Sequence, residues 1–145
     1  MDRSLLLVEI GGEWAAIASD TIRSVVELET ITPVPRAPPH VRGLAALRSR
    51  AMTVIDCRRS LELPAAEETA ETLAVVVEID EFLYALLVDR VEEVVPLDAD
   101  PGEIRADLLP GWSRASLGMV ETSSGPALMV DPAQLVAGPE RPRAA

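Results

Sequence analysis

The chain contains few of the residue types that usually carry chemistry. Of its 145 residues only 3% are aromatic, and there is one histidine, His40, and one cysteine, Cys57. A single cysteine excludes an internal disulfide and is compatible with a reducing compartment. Hydrophobic residues still make up 48% of the chain, enough for the core of one ordinary domain. Because aromatic residues are so scarce, we expect this core to be aliphatic.

The chain also lacks an excess of positive charge and a long apolar run. Its net charge is −11, and an acidic chain repels phosphate groups, so nucleic acid and anionic membrane surfaces are not expected partners. The N-terminal apolar run is broken by Glu9 and is too short for a signal-peptide core or a membrane span. The sequence therefore predicts a soluble, cytoplasmic protein that makes no direct membrane contact.

No group of residues resembles a catalytic or metal site. His40 follows two prolines and is expected to be a solvated loop residue. Cys57 has no histidine near it in the sequence and is expected to be a structural or merely exposed thiol. There is no glycine-rich phosphate loop, and residues 98–102 lack the alternating ligands of a calcium loop. We expect no catalytic residue, no metal and no cofactor; an enzyme with an unrecognised carboxylate site is the alternative from another class.

The sequence does contain a series of short apolar segments typical of β-strands. In the first half these are residues 5–10, 13–18, 25–31, 44–48 and 51–55. Gly11 and Gly12 supply the positive φ angles of a tight turn between the first two segments. Asp20 or Ser19 is predicted to cap a short helical turn. Residues 64–72, rich in Ala and Glu, are interpreted as a linker or short helix.

The same pattern recurs in the second half. Residues 73–79 resemble 5–10, residues 80–81 occupy the hairpin position of 11–12, residues 90–95 resemble 22–26, and residues 128–135 resemble 53–61. Tyr84 is placed roughly where Trp14 stands. In the last pair an apolar strand ends on an aspartate, Asp56 or Asp131, which can cap a short helix.

Four similar segments in the same order predict two β-units of about five short strands each, with Val8 equivalent to Val77 and Asp56 equivalent to Asp131. Short strands joined by turns, without long helices, favour closed barrels or sandwiches. We expect one domain over residues 1–137, composed of intertwined subdomains at roughly 1–64 and 65–137. The residues that follow, 138–145, are expected to be a disordered tail.

A stiff connector precedes one conspicuous arginine. Residues 31–43 hold four prolines, so this stretch is neither a helix nor a central strand. It leads into an apolar hairpin strand that ends on Arg48. Arg48 is either a surface arginine at a turn or a guanidinium that orients a carboxylate, within the protein or on a partner. Arg50, Arg58 and Arg59 are expected to be ordinary solvated side chains.

Around these positions the sequence resembles the CheW-like domain family. The matching segments are PPHVRG (38–43), LAALR (44–48), TVIDCR (53–58), LLVDRVEEV (86–94), LGMV (117–120) and LMVD (128–131). The resemblance runs from about residue 5 to residue 135, and its specificity lies in the order and spacing of the segments. The family fold consists of two five-stranded SH3-like β-barrels, which implies an all-β protein with short helical segments.

The resemblance also implies a function. CheW-like domains are adaptors that couple the cytoplasmic tips of chemoreceptors to the histidine kinase CheA, whose regulatory domain has the same fold. This implies a non-catalytic adaptor in a chemotaxis-like array, with that regulatory domain and the receptor tip as partners. The implied site residues are Arg48, Leu47 and Ala46 for partner binding, and Gly43, Asp56, Asp131 and Pro38 for structural roles. Candidates for a groove that binds a helical receptor tip are, by position, Ile22, Val25, Leu47 and Val91; the alternative is that all four belong to the core, which is the commoner state for each one alone.

Three positions depart from the family pattern. Ala46 replaces a usual Asn, and Ser49 replaces a usual Gly. Ser24 stands near a position that often carries an acidic residue, which could pair with an arginine at position 48. These departures leave a second possibility, a divergent family member that binds the kinase and competes with or modulates the standard adaptor instead of coupling receptors.

Overall fold

The computed structural model describes residues 3–63, 73–97, 100–104 and 107–139; the predicted linker at 64–72 and residues 140–145 of the predicted tail lie outside this range. The described residues form ten strands, three short α-helices and a 3-10 turn at Ser19–Thr21. The strands are β1 (Ser4–Ile10), β2 (Glu13–Ala18), β3 (Ile22–Glu27), β4 (Val41–Leu47), β5 (Arg50–Asp56), β6 (Leu73–Ile79), β7 (Phe82–Leu87), β8 (Arg90–Pro96), β9 (Ser116–Thr122) and β10 (Gly125–Val130), and the helices are α1 (Cys57–Ser60), α2 (Pro110–Ala115) and α3 (Pro132–Ala137).

The strands form two five-stranded sheets, which confirms the all-β prediction. Sheet 1 has the order β8-β1-β2-β10-β9, and sheet 2 has the order β3-β6-β7-β5-β4. The SH3-like description fits, but neither ladder is closed, because no pairing joins β8 to β9 or β3 to β4 in the described residues. Each sheet takes strands from both halves of the chain, since the β1–β2 hairpin joins β8–β10 and the β6–β7 hairpin joins β3–β5. The two halves are therefore intertwined and do not form separate sheets.

Both sheets are built on the same register. One row of paired residues crosses all five strands of each sheet: Ile22, Val77, Tyr84, Thr53 and Leu44 in sheet 2, and Val91, Val8, Ala15, Leu128 and Met119 in sheet 1. Val8 is therefore equivalent to Val77, as the sequence predicts. Tyr84 is equivalent to Ala15, so its predicted match with Trp14 was wrong by one residue. The repeat is real, and it relates one whole sheet to the other.

The core has three parts because the central strands are buried on both faces. Side chains alternate between the faces of a strand, and in β6 Val75 and Val77 enter one cluster while Ala74 and Val76 enter another. We call the cluster formed by both sheets the shared core; each sheet also has a core of its own. Burial on both faces explains why β1 and β6 are continuous apolar runs without a polar alternation.

The helices α1 and α3 begin at equivalent aspartates. The Asp56 carboxylate accepts a hydrogen bond from the backbone N–H of Arg59 at 3.2 Å, and the Asp131 carboxylate accepts one from that of Ala133 at 3.0 Å. A carboxylate in this position satisfies a donor that the first helical turn leaves free. Each aspartate therefore ends a strand and starts a helix within one residue.

The proline connector crosses the beginning of β4. Thr32 and Leu44 exchange two backbone hydrogen bonds of 2.8 Å each. Gly43 has a φ of +151°, and a Cβ atom there would collide with the Thr32 carbonyl. Only glycine tolerates both the positive φ and the close approach. The second repeat contains the same arrangement, because Gly102 pairs with Met119, the residue after Gly118, as Thr32 pairs with Leu44, the residue after Gly43.

His40 is buried, and the expectation of a solvated loop histidine was wrong. Its side chain is 5% exposed, and its Nε2 donates to the Val136 carbonyl of α3 at 2.9 Å. Its own carbonyl accepts the backbone N–H of Asp56 at 2.8 Å. The connector turns inward at this residue to begin β4, so the ring enters the space beside Gly138, which has no side chain to oppose it. The connector is thereby fixed to α3.

Candidate partner-binding surface

The β4–β5 turn presents Arg48 to solvent. Residues Leu47 and Arg50 pair across a two-residue turn, and Arg48 takes a φ of +58°. Residues other than Gly, Asn and Asp rarely adopt this conformation, because Cβ is crowded there. The Arg48 side chain is exposed, and it makes no hydrogen bond or ion pair anywhere in the described part of the chain. Its guanidinium group is therefore available to a partner.

Arg50 links the start of β5 to the β6–β7 turn. It donates to the Glu81 carbonyl at 3.1 Å and lies 3.5 Å from the Glu78 carboxylate, which also accepts from Arg23 at 3.4 Å. Arg50 is thus exposed but paired, which corrects the expectation of a simply solvated side chain. Exposed ion pairs of this type add little to stability, but they orient the groups they join.

Arg58 is not a solvated side chain either. Its guanidinium makes a two-pronged ion pair with Asp89, at 3.0 Å from Nε and 2.7 Å from Nη2. The side chains are only 23% and 12% exposed, and Asp89 also accepts from the backbone N–H of Gly11 at 2.9 Å. Paired guanidinium and carboxylate groups in this planar geometry fix the orientation of both partners. The pair joins α1 to the crossover between β7 and β8 and to the β1–β2 turn.

Next to Arg48 lies an exposed row of apolar residues on sheet 2, which we call the apolar row: Ala46, Ala51 and Phe82. Ala46 pairs with Ala51, and Phe82 follows in the same parallel register, two residues before Tyr84, which pairs with Thr53. All three are exposed, and Phe82 is 66% exposed. Because side chains alternate, the row lies on the face that holds the shared core, beyond the part that sheet 1 covers.

Sheet 1 has different residues at the equivalent positions. Glu121 pairs with Pro126 as Ala46 pairs with Ala51, and Glu13 pairs with Ile10 as Phe82 pairs with Ile79. Nearby, residues 107–109 and Trp112 extend over this face and leave a cavity of about 660 Å³. At these equivalent positions of the register, sheet 2 therefore has apolar residues where sheet 1 has charged ones.

The residues proposed from the sequence fall into two groups. Ala46 and Arg48 are exposed on one hairpin, and Val25 is 43% exposed on the edge strand β3. The others are half-buried: Leu47 packs against the core of sheet 2, and Ile22 and Val91 pack against the shared core at equivalent positions.

The exposed apolar residues that sequence reasoning did not name as candidates include Ala51, Phe82 and Val94, of which Val94 is 62% exposed. The register makes Val94 the equivalent of Val25, because each follows a bulge in the edge strand at the same place. A full alignment of the two repeats would have identified it. The remaining structural candidates, Gly43, Asp56 and Asp131, lie at the positions described above, and Pro38 is an exposed residue of the connector.

The described ranges hold no cluster of three or more His, Cys, Asp or Glu residues that could bind a metal ion. Within the same ranges, no helix is long and apolar enough to cross a membrane. Cys57, the single cysteine, is completely buried in the shared core.

Known proteins match most of this chain. It is 26% identical over 113 residues to the chemotaxis protein CheW of Rhizobium meliloti (strain 1021), covering 78% of this chain and 73% of that protein. It is 26% identical over 127 residues to the chemotaxis protein CheW of Thermotoga maritima, covering 88% and 83%. The crystal structure of the scaffolding protein TtCheW from Thermoanaerobacter tengcongensis has the same fold, with a TM-score of 0.79 over 90% of each chain at 20% identity. The family model described as CheW-like domain matches residues 4–140, and the chain therefore belongs to the CheW-like domain family.

Proposed function

We propose that this protein is a non-catalytic adaptor that couples the cytoplasmic tips of chemoreceptors to the regulatory domain of a CheA-type histidine kinase. Membership of the CheW-like family and the relatedness to chemotaxis proteins support this function. As such an adaptor it acts in the cytoplasm and reaches the membrane only through its partners.

The observation that carries the proposal is the backbone conformation of Arg48 together with the exposure of its guanidinium group. An arginine occupies a turn position, at φ +58°, where glycine would be less strained. Its guanidinium has no partner among the described residues, in a chain whose net charge is −11. Arg36 in the connector shares the positive φ and the exposure, but Arg48 also lies beside the exposed apolar row, and an exposed apolar surface next to a charged residue is typical of a protein-binding site. A planar guanidinium suits a carboxylate on a partner protein.

The test is a binding titration of the wild type and of Arg48→Ala, with two purified probes: a chemoreceptor tip fragment and the CheA-type regulatory domain. We expect Arg48→Ala to weaken the binding of at least one probe by about 1–3 kcal/mol, the range for a charge-assisted hydrogen bond at an interface. The melting temperature should be nearly unchanged, because the side chain has no partner to lose.

Arg36 offers a matched control, because it is also an exposed arginine at a positive φ, +65°, and has no hydrogen bond in the described residues. Arg36→Ala should bind both probes like the wild type. A wild type that binds neither probe would contradict the adaptor function. Equal binding by Arg48→Ala and the wild type would make Arg48 an ordinary surface residue.

The alternative is a family member that binds the kinase but does not couple receptors. It is favoured by Ala46 and Ser49, two departures from the family pattern that both lie exposed on the β4–β5 hairpin. The same titration separates the two functions. Binding of the regulatory domain without binding of the receptor fragment would support the competitor.

A further inference from the structure

We infer that Phe82 is the specificity-determining anchor residue of the adaptor and inserts into the apolar stripe of one amphipathic helix of the receptor tip. The inference rests on the proposed function and adds the residue, the surface and the form of the ligand. Phe82 is the only phenylalanine in the chain, and at 66% it is more exposed than the other large apolar residues of the described part. Aromatic residues, including phenylalanine, are enriched in the cores of protein interfaces.

The repeat provides an internal control for this exposure. The position equivalent to Phe82 in sheet 1 is Glu13, and the position equivalent to Ala46 is Glu121; both glutamates are exposed. The fold thus accepts a charged residue at both positions. Packing does not explain why sheet 2 has Phe and Ala there, whereas a requirement for an apolar surface does.

The dimensions of the apolar row fit one helix. Ala46, Ala51 and Phe82 lie on three adjacent strands, which spans two inter-strand spacings, about 10 Å. An α-helix with its side chains has a diameter of about 10 Å. Leu44, two residues before Ala46 on the same strand, is 42% exposed and extends this apolar surface along the strands. A helix that lies parallel to the strands would cover the apolar row and Leu44 with its residues at i, i+3 and i+4.

The charges on the two sides of the apolar row differ. Arg48, beyond the end of β4, is exposed, whereas Asp80 and Glu81 are exposed at the β6–β7 turn. A complementary helix therefore carries a carboxylate on the side of Arg48 and a cation on the side of Asp80 and Glu81. These charges determine the orientation in which the helix binds. Arg50 links β5 to the β6–β7 turn at this end of the apolar row, because it donates a hydrogen bond to the carbonyl of Glu81, the residue before Phe82.

The experiment measures the affinity of Phe82→Ala and Phe82→Leu for a purified chemoreceptor tip fragment and, separately, for the regulatory domain of the CheA-type kinase. The matched control is Leu117→Ala, which truncates another large, exposed apolar side chain, 53% exposed, on β9. We expect Phe82→Ala to bind the receptor fragment about 30-fold more weakly or worse, as a central interface anchor does. Phe82→Leu should retain most of the affinity. Leu117→Ala, and all binding to the kinase domain, should be unchanged.

The outcomes separate this inference from the function it rests on. If the wild type binds the receptor fragment and Phe82→Ala binds it equally well, the anchor is wrong and the adaptor function stands. If the wild type does not bind the fragment, both are wrong. If Phe82→Ala lowers the melting temperature and loses both probes together, Phe82 has a structural role and the inference is overturned.

Discussion

The two sheets have the same strand ladder but are covered by different segments. Helix α2 ends at Ala115, whose carbonyl accepts the backbone N–H of Asp131; His40, at the end of the proline connector, makes the same bond to Asp56. In one repeat this segment is a helix that buries Trp112, and in the other it is a proline-rich turn that buries a histidine. The pairing of the strands is therefore the same in both repeats, whereas the segment that covers each sheet differs in sequence and structure.

The crossovers between the sheets differ in a similar way. Asp89 and Asp20 are equivalent in the register, and each follows the second strand of a central hairpin. Asp89 is bound by Arg58 and Gly11, whereas Asp20 is exposed. One crossover is thus held by an ion pair, and the other depends on backbone and apolar contacts. Residues that the repeat makes equivalent are natural controls for one another.

The largest effect is expected where an edge-strand valine packs against the shared core. Val91→Asp places a charge against that core, so we expect it to lower the free energy of unfolding by about 3 kcal/mol or more. Val94→Asp, three residues along the same strand, should change it by less than about 1 kcal/mol, because Val94 is 62% exposed. Urea denaturation measures both. If Val91→Asp also changes the free energy of unfolding by less than about 1 kcal/mol, Val91 is a surface residue and could line the groove proposed from the sequence.

An intermediate effect is expected at the crossovers. Arg58→Ala removes the two hydrogen bonds that the guanidinium donates to the Asp89 carboxylate, which is only 12% exposed in the wild type, and this should cost about 2–3 kcal/mol. Asp89→Asn should also destabilise, whereas Asp20→Asn, at the equivalent exposed position, should have no measurable effect. Thermal melts of the three variants check this. Equal melting temperatures for Asp89→Asn and Asp20→Asn would contradict the difference between the crossovers.

The smallest effect is expected from the ion pairs at the end of the apolar row. Glu78→Gln removes the carboxylate that faces Arg23 and Arg50, and because these pairs are exposed the loss should be at most about 1 kcal/mol. Its equivalent Glu9 has no side-chain bond in the described residues, so Glu9→Gln should be neutral. Denaturation at low and at high salt measures the difference, which should vanish at high salt. A difference that persists would mean that Glu78 acts through packing.

The sequence was sufficient to predict most of the strands and the repeat, but not the contacts between distant segments. The strand predicted at 25–31 was wrong in its bounds, because β3 begins at Ile22 and ends at Glu27. The apolar runs of β1 and β6 identify buried strands, and an aspartate after a strand marks the start of a helix. The exchange of hairpins was not derivable from strand patterns alone, because a strand has the same apolar pattern whichever sheet it joins. Arg58 and His40 were misjudged because their partners lie 31 and 96 positions away along the chain.

The exposure of the apolar row was also beyond the sequence. At the start of a strand, Phe82 has the pattern of a core residue, and only the register shows that it lies past the edge of the shared core. Resemblance to a family identified the hairpin with Arg48. It did not identify Phe82, because none of the matching segments includes that residue.

The most direct test of the account gives sheet 2 the residues of sheet 1 at the two positions of the apolar row where sheet 1 has a charged residue. The double variant Ala46→Glu with Phe82→Glu carries in sheet 2 the residues that sheet 1 has in Glu121 and Glu13. The measurement is the affinity for a receptor tip fragment, together with the circular dichroism melt. We expect a melting temperature close to that of the wild type and no detectable binding of the fragment. A variant that unfolds, or that binds the fragment like the wild type, would contradict the claim that these positions serve binding and not folding.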